Sequence, residues 1–206
     1  MKSGRSYQQT VRAQVAAENE ERILAAAEEL FSRETFDRLS LAALAEHAGV
    51  SIPTLQRKFG NKEGLFAAVG ERIRTRVMSE REPSGDDVDA ALDALLSHYE
   101  RDGRLVWHML KQEADVPMLQ GAMQSARAIH RLWVEQVFFA CLPAGEDAAR
   151  TAHVDALFAA TDLYLWKLLR IDLQRSAQDT ARTLKSMARA VAIAPAAPAA
   201  PEGVAA

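Results

Sequence analysis

Between Ser40 and Lys62 the chain reads Ser-Leu-Ala-Ala-Leu-Ala-Glu-His-Ala-Gly-Val-Ser-Ile-Pro-Thr-Leu-Gln-Arg-Lys-Phe-Gly-Asn-Lys, and no other segment limits the fold so tightly. Two helical stretches flank Gly49-Val50-Ser51, each too short to persist in water without tertiary packing. Ser40 reads as the N-cap of the first, its hydroxyl meeting a backbone donor the helix leaves open. Gly49 stops that helix, as glycine does at a left-handed C-terminal cap. Ser51 caps the second, with Pro53 near its start, where a missing N–H costs nothing. Gly60 ends it, and Asn61 opens a further helix running towards Pro83. Ala45 is small where the two helices must cross, and Val50 fills the angle between them. Leu55 and Phe59, four apart, turn the second helix's apolar face inward. Two short helices meeting at such a bend make a helix-turn-helix.

With that face fixed, Ile52, Pro53, Thr54, Gln56, Arg57 and Lys58 are expected in solvent, near the helix end that enters a DNA major groove. Arg57 and Lys58 suit phosphates or guanine edges, and Gln56 can pair with adenine. Ile52 and Pro53 suit thymine methyls. Ser40, at its helix N-terminus, and Lys62, at the start of the next helix, are placed to hold phosphates.

The remainder is helical in pattern: Ala, Leu, Glu and Arg recur, and alternating β-branched runs are scarce. From about Glu18 to Arg33, Ile23, Leu24, Ala27, Leu30 and Phe31 line one stripe, with Glu18, Glu20 and Glu21 favouring the N-terminal end. Residues 1–17 carry Lys2, Arg5 and Arg12 and form either a flexible basic arm or an extension of this helix. Five more helices are expected at roughly 86–101, 104–114, 118–142, 146–172 and 176–193, broken at Gly103, Pro117, Pro143-Ala144-Gly145 and Gln174-Arg175. The segment 194–206, rich in Pro and Ala with little to bury, is expected to be a disordered tail. The expected architecture is thus all-α: a helix-turn-helix domain over 18–65 and a second helical domain over 66–193. Residues 1–81 carry 13 Lys/Arg against 11 Asp/Glu, a net +2, and the remaining residues 12 against 17, a net −5. The excess of cations therefore sits with the helix-turn-helix.

The run Gly49-Val50-Ser51-x-x-Thr54-Leu55-x-x-x-Phe59-x-Asn61-Lys62-Glu63-x-Leu65 resembles the TetR-family DNA-binding signature. The stretch Ile23-Leu24-Ala25-Ala26-Ala27-Glu28-Glu29-Leu30-Phe31 resembles that family's first helix, so the likeness covers about residues 18–70. Gln56 and Lys58 stand where relatives commonly have aromatic residues or histidine. Leu41 and Ala42 are apolar where some relatives place polar DNA contacts. The resemblance implies a three-helix N-terminal domain on double-stranded operator DNA and a C-terminal helical domain for effector binding and dimerisation. It further implies a homodimer joined by its last two long helices, usually a repressor, responding to a small-molecule effector of unknown identity.

In the C-terminal part Trp107, His108, Met123, Trp133, Phe138 and Tyr164 are the candidate lining of such an effector site. The stretch Asp162–Arg170 is apolar almost all round, as a helix buried on two sides must be. His47, His98, His108, His130 and His153 fall in no metal-ligand spacing, and no cofactor is expected. The lone Cys141 is expected to be a small buried hydrophobe in a reducing compartment. No phosphate-binding glycine loop, nucleophile elbow or paired-carboxylate motif supports an enzyme. Without a long apolar run or a signal segment, a cytoplasmic, membrane-free protein is expected.

Overall fold

A computed structural model of the chain describes residues 3–81, 87–145 and 148–193, with side chains from residue 14 onward. The expected tail at 194–206, Pro83 and Lys2 lie outside the described residues. Among the described residues there is no strand, and the elements are helices throughout. They fall into two compact units, residues 1–78 with 108–120, and 79–107 with 121–206.

The first unit starts with α1 (Ser3–Arg33), which continues the Glu18–Arg33 stripe back through the basic N-terminal segment. A single 3₁₀ turn (Phe36–Arg38) leads to α2 (Leu41–His47), α3 (Ile52–Phe59) and α4 (Lys62–Glu80). Ile23, Leu24, Ala27 and Phe31 of the expected α1 stripe are buried with Leu44, Leu55, Leu65 and Val69, while Leu30 is half-buried. Phe66 meets Phe31 and Phe36 edge-on, at 5.1 and 5.6 Å between ring centres. That geometry suits the quadrupoles of aromatic rings. Arg72 and Arg76 of α4 bind Glu28 of α1, and Arg72 also binds Glu21.

The second unit draws on α5 (Val88–Leu110), α6 (Pro117–Val137), α7 (Ala148–Thr161), α8 (Leu163–Lys167) and α9 (Ala177–Ile193). Three expected boundaries are corrected. Gly103 does not break a helix: α5 runs through it, because the residue serves close packing. A Cβ there would stand 2.7 Å from two carbons of the Trp166 ring, so only glycine lets α8 approach. The helix expected at 146–172 is divided at Asp162, whose carboxylate accepts from Tyr164 N–H at 2.9 Å and starts α8. Beyond Lys167 the coil widens into a π turn (Leu168–Asp172), and Gln174 takes a positive φ of 53° before α9. α6 stops at Val137 and is followed by a 3₁₀ turn (Phe139–Cys141), where Cys141 is exposed rather than buried. Among the described residues no helix is long and apolar enough to cross a membrane.

Candidate nucleic-acid interface

The local chemistry of the 40–62 segment gives a bend with one face closed and one open. Ser40 Oγ accepts from Ala43 N–H at 3.1 Å and starts α2. Gly49 takes a φ of 63°, open to glycine and strained for residues with a Cβ. Val50 N–H then donates to Ala45 O at 2.9 Å, closing the turn. Ser51 caps α3, accepting from Thr54 N–H at 3.3 Å and sharing a hydroxyl bond with Thr54 Oγ1 at 2.9 Å. Leu55 is fully buried and Ala45 nearly so, while Val50 and Phe59 are half-buried. Burying a leucine of this kind stabilises the motif by about 1.5–3 kcal/mol, and it fixes the rotation of α3.

The opposite face emerges as the apolar anchoring requires. Ile52, Pro53, Gln56, Arg57 and Lys58 are exposed and Thr54 is half-buried. Arg57 makes no hydrogen bond or ion pair among the described residues and presents a free guanidinium. Lys58 is different: its ammonium turns back onto α1, pairing with Glu20 and reaching Ala16 O at 3.4 Å. Lys62 is half-buried, donating to Phe36 O at 2.6 Å with its charge 4.2 Å from the centre of the Phe36 ring. Both lysines are thus engaged within the unit. Ser40 is exposed at the α2 N-terminus, and Ala42 is exposed beside it.

Neighbouring charges are held in place. The hydrogen bond from Arg72 keeps the Glu21 carboxyl below its usual range. Glu29, bonded to His47 at 3.1 Å and paired with Arg33, is likewise held down, chiefly by the histidine bond. Local spacing does not mark the contacts of α1 with His47 and Arg72, whose partners lie 18 and 51 positions apart.

The effector candidates separate into three places. His108 belongs to the first unit, bonded to Glu34 O at 2.9 Å, while Gln112 of the same turn accepts from Phe36 N–H at 2.8 Å. Trp107 is half-buried and meets Tyr164 edge-on at 5.6 Å, with Lys167 over its ring; Tyr164 itself is exposed. Trp133 and Phe138 are buried in edge-on contact at 6.4 Å, and Met123 is buried on the same helix as Trp133.

Around Trp133 sits a buried polar cluster that the sequence reading did not single out. Arg81 Nη2 donates to His130 Nδ1 at 2.9 Å, and the guanidinium lies 4.6 Å over the Trp133 ring. An arginine can only donate, so the His130 proton sits on Nε2 and is given to Thr161 Oγ1 at 3.1 Å. The Thr161 hydroxyl passes its own proton to Leu157 O at 2.8 Å. Burial, then the charge of Arg81, pushes His130 down to about 3. His98, bonded to Asp102 at 2.9 Å, is also lowered by burial, against the pull of that carboxylate. Five histidines were visible in the sequence; Arg81, the neighbour of His98 and His130, was not, for no local pattern marks a buried arginine. Among the described residues no group of three or more His, Cys, Asp or Glu side chains is placed to hold a metal ion.

Comparison with known proteins agrees with this geometry. Residues 23–69 match the family described as bacterial regulatory proteins, tetR family. The chain is 36% identical over 70 residues to the HTH-type transcriptional repressor ComR of Escherichia coli K12, covering 34% of this chain and 33% of that protein. It is 29% identical over 90 residues to the repressor BdcR of the same organism, covering 40% of this chain and 46% of that one. The matches therefore span a third to just under half of these curated relatives. A crystal structure of a tetR-family transcriptional regulator from Streptomyces coelicolor superposes with a TM-score of 0.63 at 18% identity, over 85% of this chain and 82% of that one. The capped bend at Gly49, the buried Leu55 and the matched segment around them identify residues 23–69 as the N-terminal domain of the tetR family of bacterial regulatory proteins.

Proposed function

We propose that the chain is a DNA-binding transcriptional repressor, acting in the cytoplasm as a homodimer on a palindromic operator and released by a small-molecule effector. The observation that carries this reading is the free guanidinium of Arg57, presented beside exposed Ile52, Pro53 and Gln56 while Leu55 locks the helix from beneath. Such a face offers a fork for guanine or phosphate, an amide for adenine and apolar groups for thymine methyls. Thr54 and Ser40, with the amides at the α2 N-terminus, complete the contacts as phosphate ligands. Lys58 and Lys62 reach DNA only by giving up their bonds to Glu20 and Phe36. The names of ComR and BdcR support repression.

A dimer sets two recognition helices about one helical turn apart, or a multiple of that, so the operator has matching half-sites. Exposed Tyr164, Leu168, Leu173 and Met187 supply the apolar surface for that dimer. Leu168→Glu combined with Met187→Glu is expected to give monomers in sedimentation; a dimer of wild-type strength would reject that surface. Effector binding shifts the population towards a head placement that fits DNA poorly, which requires tighter binding to that state. Fluorescence anisotropy with DNA from upstream of the chain's own gene tests the whole reading. Saturable binding with strong salt dependence supports it, and the absence of binding at low salt to that DNA and to a random-site pool overturns it.

A further inference from the structure

Arg81 is only 8% exposed, yet among the described residues no carboxylate pairs with it. Its one hydrogen bond among the described residues goes to neutral His130. A guanidinium cannot shed its charge as a buried lysine or histidine does. Keeping that charge away from water without a counter-ion is expensive. The ring beneath it adds an unmet donor: Trp133 Nε1 is buried without a hydrogen-bond partner. His130 cannot supply the missing acceptor, because its one lone pair is already taken by Arg81. The cluster is rich in donors and poor in acceptors, and it is built of flat rings. His130 stacks on Trp133 with 14° between planes, and Phe158 meets His130 edge-on at 4.8 Å.

Phe158 also lines an open groove between α6 and α7, about 360 Å³ in volume, with Arg127, Ala128, Arg131 and Asp155. Its rim carries Arg127 and Arg131, the latter bonded to Asp155 at 2.6 Å and to Glu135 at 3.4 Å. Its size lies within the usual range of small-molecule sites.

We propose that the effector is a small organic acid whose carboxylate is received by Arg81 and Trp133 Nε1–H, with its apolar body packed along His130 and Phe158. This inference rests on the ligand-released repressor reading above and names the chemical class of its effector. A carboxylate matches the planar fork of one arginine, and the aromatic walls suit an apolar body better than an inorganic anion.

The test uses the full-length protein with benzoate and octanoate, benzamide and octan-1-ol as neutral counterparts, and inorganic phosphate at matched ionic strength. Melting temperature and tryptophan fluorescence are followed. The acids are expected to raise Tm, to perturb Trp133 emission and to bind more tightly than their neutral counterparts by roughly tenfold or more. Arg81→Met removes this preference. Arg81→Lys keeps the charge but not the fork, so the fold persists and most of the preference is lost. Equal binding of acids and neutral compounds, no binding of either acid, phosphate matching the acids, or a preference that survives in both variants overturns the proposal. Operator binding by the unliganded protein is measured in parallel. DNA binding without any carboxylate preference removes this inference alone, whereas absent DNA binding removes the repressor reading.

Discussion

Arg57 and Lys58 are adjacent in sequence, equally charged and both exposed, yet they do different work. Among the described residues Arg57 has no partner, whereas Lys58 is bonded to Glu20 and Ala16 of α1. Arg57→Ala is therefore expected to weaken operator binding and to lower the slope of log affinity against log salt by about one. Lys58→Ala removes a partly exposed ion pair, worth less than about 1 kcal/mol of stability, and changes the salt slope much less. Anisotropy titrations at several salt concentrations separate the two; equal slopes for the two variants would reject the distinction. The caps at Ser40 and Ser51, the turn at Gly49 and the burial of Leu55 were legible because each follows from neighbours within four residues. The engagement of Lys58 and Lys62 was not, since Glu20 and Phe36 lie 38 and 26 positions away. Local spacing says which way a side chain leaves its helix, but not what meets it.

At the scale of elements the same divide separates α3 from α5. The first is delimited by its own caps, and the sequence reading located it well. The second crosses Gly103, where intrinsic propensity argues for a break, with glycine about 1 kcal/mol less favourable than alanine in a helix. Tertiary burial overrides that preference: Leu95, Leu96 and Tyr99 lie on one side of Gly103 and Leu105 and Met109 on the other, all buried. The glycine lies against Trp166, and that ring is not free to retreat. It is 2% exposed, and its Nε1–H donates to Glu100 at 2.8 Å. Glu100 in turn is gripped by Arg170 at 2.8 and 2.9 Å, joining α5 to α8 and the π turn. Gly103→Ala should therefore improve local propensity and still destabilise the protein, by about 1–3 kcal/mol, as overpacking does. Thermal denaturation with Gly121→Ala as the companion provides the check, because a Cβ at Gly121 meets nothing within 4 Å. If both alanines stabilise alike, the Trp166 contact is not what carries the helix through Gly103.

Across the whole molecule, the two units differ in what their interiors ask of pH. The second buries His98 and His130 uncharged, both held below the ordinary histidine value by burial. The unfolded chain takes up a proton on each near pH 6.5, while the folded unit does not until lower pH, for His130 not until about 3. Between those values the unfolded state binds more protons, so stability falls as pH falls, by up to about 1.4 kcal/mol per pH unit for each histidine. Asp162, whose carboxyl is raised by burial, works in the opposite sense. All three tryptophans, Trp107, Trp133 and Trp166, lie in this unit, so their fluorescence in urea titrations reports it directly. Stability at pH 5.5 is expected to lie below that at pH 7.5 by on the order of 1 kcal/mol from His130, with His98 adding in the same direction. His130→Gln, compared with its own value at pH 7.5, should show a clearly smaller loss, since one of the two discharged groups is gone. A flat profile, or an unchanged loss in the variant, would mean that these histidines do not enter the folded unit neutral. Proton uptake would then have to be sought in a different pair of groups.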